Sequence, residues 1–162
     1  MFQALVRSFF AVVVLFTSVS FAAPAYPENP DPQLTPGDVC HRPSQYRYPE
    51  KIAYCERNVD PQLKREIIKM YDRERGYRIS QMDRQKFKID HYIPLCMGGS
   101  NDRDNLWPQH ETVYNQTDHL EALACEKMAQ GRLRQAKAIE YIKSVKNNLE
   151  LADQVTAEIE AL

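Results

Sequence analysis

The sequence has no two cysteines at Cys-x-x-Cys spacing, which argues against a zinc knuckle, because the ligands of such a site come in these pairs. It has no internal repeat, its formal net charge is only −1, and no apolar run after the first 25 residues is long enough to cross a bilayer. The overall charge therefore gives no sign of a nucleic-acid partner. With 162 residues, the chain has room for one domain of ordinary size and little room for two.

The first 25 residues have the composition of a secretory signal peptide. An apolar run from Phe9 to Phe16 follows Arg7, and small residues then allow cleavage after Ala22 or after Ala25. The run is short for a membrane span, although an uncleaved N-terminal anchor is the alternative interpretation. We expect an exported monomer, periplasmic or secreted, with no stable membrane association after cleavage. Residues 26–43 hold half of the prolines and predict an extended, poorly ordered linker.

Apolar spacing and capping residues predict the elements that follow. Asp60 is a good N-cap and Pro61 a good first helical residue, so a helix is expected from there to Gly76. A strand over 87–93, a turn-rich loop and a strand that begins at 105 and closes at Pro108 come next. Helices are expected over 111–130 and 132–147. The expected fold class is α+β, a small mainly helical domain over 44–148 with a helical tail over 149–162 that packs or frays.

Residues capable of chemistry gather most densely between Ile89 and His119. Asp90 and His91 are adjacent, and adjacent side chains of a strand point to opposite faces, so the two suit different tasks. A carboxylate is a hard oxygen ligand for a divalent cation, and a neutral imidazole accepts a proton from water near pH 7. This pairing is what hydrolysis of a phosphodiester requires.

The pattern Asp90-His91-x-x-Pro94-Leu95-x-x-Gly98-Gly99, followed by Asn105-Leu106-Trp107-Pro108, resembles the HNH endonuclease family. Cys40-x-Arg42-Pro43 and Asp118-x-Leu120-Glu121 are also similar to elements of a secreted bacterial subgroup of that family. The resemblance implies a ββα hairpin and helix that holds one metal ion. It also implies metal-dependent endonucleolytic cleavage that leaves a 5′ phosphate, with DNA favoured over RNA as the substrate.

The resemblance also implies a role for each residue of the motif. His91 would be the general base, Asp90 a metal ligand, and Asn105 the residue that orients the imidazole and its loop. The last ligand would come from the following helix, with Asn115 as first choice and His119, one helical turn later, beside it. His110 and Asp118 are lesser candidates for this ligand. Oxygen ligands favour Mg²⁺ or Mn²⁺ as the single divalent ion.

Four cysteines, an even number in a chain expected to be exported, favour disulfides over buried free thiols. Three pairings are open, and we favour Cys40 with Cys55 and Cys96 with Cys125. The second of these disulfides would tie the hairpin to its helix.

A basic stretch lies directly before the motif, with nine basic and four acidic residues between Gln62 and Lys88. Arg84, Lys86 and Lys88 are the residues we expect to contact the phosphates of a nucleic acid. A solvated helix face with internal ion pairs is the alternative interpretation. An inhibitor or immunity protein as a further partner stays open at this point.

Two other functions are compatible with these residues. The chain could be a nucleic-acid-binding module that keeps the hairpin and helix but has lost the metal at its third ligand. It could also be a disulfide-held structural protein of the cell envelope, in which His91 packs away from any cleft.

Overall fold

The computed structural model describes residues 24–162, so the predicted signal peptide lies almost entirely outside the described residues. Within them, the protein has mixed α and β structure with four helices, two small sheets and two disulfides. This confirms the coarser part of the expected fold class. Over the same range, no helix is long and apolar enough to pass through a membrane.

Two short antiparallel hairpins and four helices follow one another along the chain. The strands are β1 (Gln45–Arg47), β2 (Ile52–Tyr54), β3 (Phe87–His91) and β4 (Leu106–His110). The helices are α1 (Pro61–Arg75), α2 (Glu111–Ala129), α3 (Gln135–Asn147) and α4 (Ala152–Glu160). β1 pairs with β2 and β3 pairs with β4, and single 3₁₀ turns fill several of the connections.

Helix α1 begins and ends at the residues that the sequence predicts. The Asp60 side chain accepts hydrogen bonds from the backbone N–H groups of Gln62 and Leu63, and Pro61 is the first helical residue. Gly76 ends the helix in the left-handed conformation, with φ of 71°. The buried face carries Ile67, Ile68, Met70 and Tyr71, which pack against the β3–β4 hairpin.

The β3–β4 hairpin leads directly into α2. Its register pairs Asp90 with Trp107 and His91 with Leu106. Pro108 lies inside β4 and pairs with Ile89, whereas the sequence predicts that this proline ends the strand. In a two-stranded sheet both strands are edge strands, and an edge strand tolerates a residue that has no N–H to donate.

Helices α2, α3 and α4 form a second core beside the hairpin. Leu120, Ala124 and Met128 of α2 meet Ala138, Ile142 and Val145 of α3 there. The last segment does not fray, since Val155 and Ile159 of α4 are buried in the same core. The C-terminal segment is therefore part of the packed domain.

The segment predicted to be a poorly ordered linker also packs on the domain, although it contains no helix or strand. Thr35 is fully buried, and its hydroxyl donates a hydrogen bond to the Leu106 carbonyl and shares another with the Tyr71 hydroxyl. Asp31 forms an ion pair with Arg75 of α1. These polar contacts join the segment to α1 and β4, which proline content alone does not predict.

The two disulfides have the pairing favoured from the sequence. Cys40 is bonded to Cys55, and Cys96 is bonded to Cys125, with Cα–Cα distances of 5.6 and 6.0 Å. The first joins the N-terminal segment to the residue after β2. The second joins the turn after β3 to α2, so it ties the hairpin to the helix.

Candidate active site

A small open pocket lies where the end of β3 faces α2. Asp90 and His91 both line it, although they are adjacent on the strand and were expected to face opposite sides. Its other lining residues are Arg57, Pro94, Leu95, Cys96 and Glu121. The residues that line the pocket therefore carry two carboxylates, an imidazole and a guanidinium.

Three carboxylates meet at the side of this pocket. One oxygen from each of Asp90, Asp118 and Glu121 lies within 4.8 Å of the other two. Asp90 is only 8% exposed, Glu121 is half-buried and Asp118 is exposed. Carboxylate oxygens at this separation suit Mg²⁺ or Mn²⁺, which prefer hard oxygen ligands, so the donor set fits the expected metal.

A buried lysine of α3, Lys146, lies against the same carboxylates. Its side chain has no exposed surface, and its Nζ lies 2.7 Å from Glu121 Oε1 and 3.3 Å from Asp90 Oδ2. The ammonium also donates a 2.6 Å hydrogen bond to the His91 carbonyl oxygen. Its approach to Glu121 is an ion pair and lacks the direction of a hydrogen bond, which leaves Oε1 without a hydrogen-bond donor.

Burial and charge shift the pKa values of these groups in different directions. Burial raises the pKa of Glu121 to about 7, against the opposing effect of the Lys146 charge. Burial would also raise the pKa of Asp90, but the charges of Lys146 and Lys88 outweigh it and the net shift is downward. The pKa of Lys146 would fall on burial, but Glu121 and Asp90 raise it, so the ammonium stays charged.

His91 is 2% exposed, and one ring nitrogen is held by the loop that follows β3. Burial lowers the pKa of its imidazole to about 4, although the hydrogen bond with Asn101 acts in the opposite direction. The His91 Nε2 lies 3.2 Å from Asn101 Oδ1. His91 is therefore a neutral imidazole across the physiological pH range.

Two backbone contacts fix the orientation of the Asn101 amide. Its Nδ2 donates to the Glu56 carbonyl at 2.7 Å, and its Oδ1 accepts from the Asn58 N–H at 3.1 Å. If the amide were reversed, its nitrogen would face the backbone N–H and its oxygen would face the backbone carbonyl, so both hydrogen bonds would be lost. Oδ1 therefore faces the imidazole. Nε2 of neutral His91 must then carry the proton, and Nδ1 keeps the free lone pair. Within residues 24–162, no side-chain or backbone group hydrogen-bonds to that Nδ1.

Asn105 shapes the loop after β3, and among the described residues its side chain forms no hydrogen bond with the His91 ring. Its Oδ1 accepts from the Ile93 N–H at 2.8 Å, and its Nδ2 donates to the carbonyls of Ile93 and Ser100 at 2.9 and 3.0 Å. Gly99 lies inside this loop, where a Cβ would be 1.8 Å from the Ile93 carbonyl oxygen. These contacts hold the loop, whereas the hydrogen bond to the imidazole comes from Asn101.

The two predicted helix ligands, Asn115 and His119, are exposed on α2. Neither lines the pocket, and among the described residues neither hydrogen-bonds to Asp90 or His91. The structure brings Asp118, a lesser candidate for this ligand, and Glu121 of the same helix next to Asp90.

The three basic residues expected to contact phosphates all have partners within the chain. Lys86 pairs with Glu111, and the Arg84 guanidinium donates to the Phe87 carbonyl. Lys88 contacts Asp118 and lies 3.8 Å from Asp90 Oδ2. None of the three residues lines the pocket, so the expected set does not supply a positive charge there.

The sequence analysis names Glu121 only within the Asp118-x-Leu120-Glu121 element, without a role, and it does not name Arg57, Asn101 or Lys146. Glu121 is next to buried Leu120, so its place beside the apolar stripe of α2 is a sequence signal that it lies near the core. Lys146 follows Val145 within the buried stripe of α3, and a lysine in such a stripe indicates a buried partner. Arg57 and Asn101 lie in loops, where no periodic pattern predicts their positions.

Comparison of the chain with models of known protein families, with curated proteins and with solved structures gave no match. What the molecule does is therefore inferred from these residues and their geometry.

Proposed function

We propose that this protein is an exported, metal-dependent endonuclease of the HNH type that hydrolyses phosphodiester bonds, with DNA as its expected substrate. One observation carries the proposal: Asp90 and His91 at the end of β3 line one pocket with Glu121 of the helix that follows the hairpin. Strand, strand and helix follow in the order expected of a ββα-metal site. Export is supported by the two disulfides, which are compatible with an oxidising extracellular environment.

His91 supplies the base in this mechanism. Its Nε2 proton is directed at Asn101, so the Nδ1 lone pair takes the proton of the water that attacks phosphorus. Asp90 and Glu121 would hold the Mg²⁺ or Mn²⁺ ion. A divalent ion bound there supplies positive charge for the scissile phosphate and the departing 3′ oxygen.

Arg57 is the cation best placed to hold the phosphate. It lines the pocket with His91, and its Nη2 makes one long contact, 3.3 Å, with the Ile89 carbonyl. No carboxylate within residues 24–162 forms an ion pair with it. A planar guanidinium with free N–H groups suits bidentate contact with a phosphate.

Nicking of supercoiled plasmid by the purified, oxidised protein tests the proposal. We expect cleavage in Mg²⁺ or Mn²⁺ and none in EDTA, with losses of about 100-fold or more for His91→Ala and Glu121→Gln. Asn115→Ala and His119→Ala, on the exposed face of the same helix, are the matched controls and should keep the parental rate. Parental cleavage by His91→Ala would show that the base is wrongly assigned, and loss in Asn115→Ala alone would make Asn115 the helix ligand.

A second candidate function is nucleic-acid binding without cleavage. Lys146 and Lys88 already neutralise most of the negative charge of the three carboxylates, which favours a site that has no metal. This function predicts a gel shift that EDTA does not affect, together with no nicking in any divalent ion.

A further inference from the structure

Lys146 is a fully buried cation that the proposed mechanism does not use. It lies on α3, and its neighbours in the chain include the fully buried Ile142 and Val145. Lysines are almost never fully buried unless they are paired, because an ammonium without partners loses its hydration. Its position therefore depends on the groups that surround Nζ.

The ammonium lies close to three oxygen atoms. These are Glu121 Oε1 at 2.7 Å, Asp90 Oδ2 at 3.3 Å and the His91 carbonyl oxygen at 2.6 Å. All three partners belong to residues of the candidate active site. Lys146 consequently links α3 to both carboxylates and to the backbone that carries the proposed base.

Lys146 also lies on the protein side of the carboxylates. Asp90 and Glu121 line the pocket, whereas Lys146 does not. A cation that enters from the pocket would therefore meet two carboxylates that already share a positive charge. Like charges a few ångströms apart repel strongly in a site with little water.

We propose that Lys146 is the resident counter-ion of this site: it holds Asp90 and Glu121 together before a divalent ion binds, and it weakens their affinity for that ion. The inference rests on the proposed function, since it assumes that these carboxylates bind metal. Lys146 is a positioning residue here, because its donors are directed at the protein and do not reach the pocket. A purely structural ion pair would stabilise the fold but would leave the affinity of the pocket for divalent ions unchanged.

Lys146→Met tests this directly, because methionine keeps an unbranched apolar side chain that is one atom shorter and removes the charge. Calorimetric titration of the full protein with Mn²⁺ should give a dissociation constant at least about tenfold lower than that of the parent. Lys88→Met is the matched control: Lys88 lies 3.8 Å from the same Asp90 oxygen but is 33% exposed, so its loss should change the constant much less. An unchanged or higher constant in Lys146→Met would overturn the inference.

The variant also leaves two buried carboxylates without their counter-ion, so its folding is measured in parallel. Thermal unfolding in EDTA and in Mn²⁺ should show that Mn²⁺ raises the Tm of Lys146→Met more than that of the parent. A variant that is unfolded in EDTA and folds in Mn²⁺ would support the inference, and one that Mn²⁺ does not rescue would overturn it.

The same titrations separate this inference from the proposed function. If the parent binds Mn²⁺ and Lys146→Met binds no better, the inference fails and the metal site stands. If only the variant binds, Lys146 is the counter-ion and the parent is not a metal-dependent nuclease. If neither binds, both are wrong.

Discussion

At the scale of single residues, the burial of His91 gives its protonation a measurable effect on stability. The folded-state pKa is about 4, whereas an exposed histidine of the unfolded chain titrates near 6.5. Between these values only the unfolded state binds the proton, so the free energy of unfolding falls as pH is lowered from about 6.5 to about 4. The total loss from this group is about 3 kcal/mol.

His91→Asn isolates that effect, because it removes the titrating group and leaves every other group in place. The parent should lose about 2 to 3 kcal/mol more than the variant between pH 7 and pH 4.5, as measured by urea unfolding. Glu121 titrates in the same range with a shift of opposite sign, but it is present in both proteins and its effect cancels in the difference. Parallel stability curves would contradict the burial of a neutral imidazole.

A second residue-scale prediction concerns Asn101, which selects the tautomer of His91. The ¹⁵N chemical shifts of the parent imidazole at pH 7 should be those of a ring with its proton on Nε2. Asn101→Ala removes the acceptor at Nε2, so its spectrum should move toward a mixture of tautomers and its nicking rate should fall on the order of tenfold. Asn115→Ala, at an exposed position, should have the parental spectrum. Unchanged ring shifts in Asn101→Ala would remove Asn101 from the site.

How far the site can be predicted from the sequence depends on how local each contact is. Asp90 and His91 are adjacent in a short motif, so the sequence predicts their proximity. Glu121 lines the pocket from α2, whereas Lys146 of α3 and Asn101 of a loop contact the residues that line it, and only tertiary packing brings these groups together. Helical spacing points as readily to Asn115 as to Glu121, because it does not say which face of α2 meets β3.

At the scale of elements, the disulfide between Cys40 and Cys55 supports the site from outside the pocket. Cys55 precedes the segment whose Glu56 carbonyl and Asn58 N–H hold the Asn101 amide. Cys40→Ala/Cys55→Ala should lower the free energy of unfolding by about 3 kcal/mol, because the unfolded chain regains the freedom of a loop of 15 residues. The His91 ¹⁵N shifts should change as well.

Cys96→Ala/Cys125→Ala is the comparison for that prediction. This disulfide spans 29 residues, so its loss should destabilise the protein by a similar amount, about 3 to 4 kcal/mol. It joins the turn after β3 to α2, so the Mn²⁺ affinity should respond more than the His91 shifts. Equal changes of the His91 shifts in both double variants would mean that neither disulfide acts locally.

Elements with strong local signals are those that the sequence predicts well. Helix α1 has its N-cap in Asp60 and its left-handed C-terminal glycine in Gly76, and both ends are where local chemistry sets them. Pro108 was misjudged because proline interrupts a central strand but is tolerated at an edge. Whether a strand is central or at an edge depends on the strands that pair with it, and a short stretch of sequence does not identify them.

At the scale of the whole molecule, the N-terminal segment belongs to the domain through buried polar contacts. Burial raises the pKa of the Tyr71 hydroxyl to about 12, and Thr35 and the Asp31 N–H contact that hydroxyl. A proline-rich composition predicts an extended backbone correctly, but it does not predict whether that backbone is solvated or packed. Residues 24–43 pack on the domain, with Thr35 at the centre of the contacts.

Thr35→Val and Thr35→Ser distinguish a packed segment from a loose one. Valine has nearly the shape of threonine but no hydroxyl, so the Leu106 carbonyl loses a donor and the Tyr71 hydroxyl loses a partner in a buried site. The free energy of unfolding should fall by about 1 to 3 kcal/mol in Thr35→Val. Serine keeps the hydroxyl and removes one methyl group, so its loss should be about 1 kcal/mol. If the segment were a loose linker, neither substitution would change the free energy of unfolding measured with urea. A larger loss of this free energy in Thr35→Ser than in Thr35→Val would mean that apolar packing, more than these hydrogen bonds, holds the segment to α1 and β4.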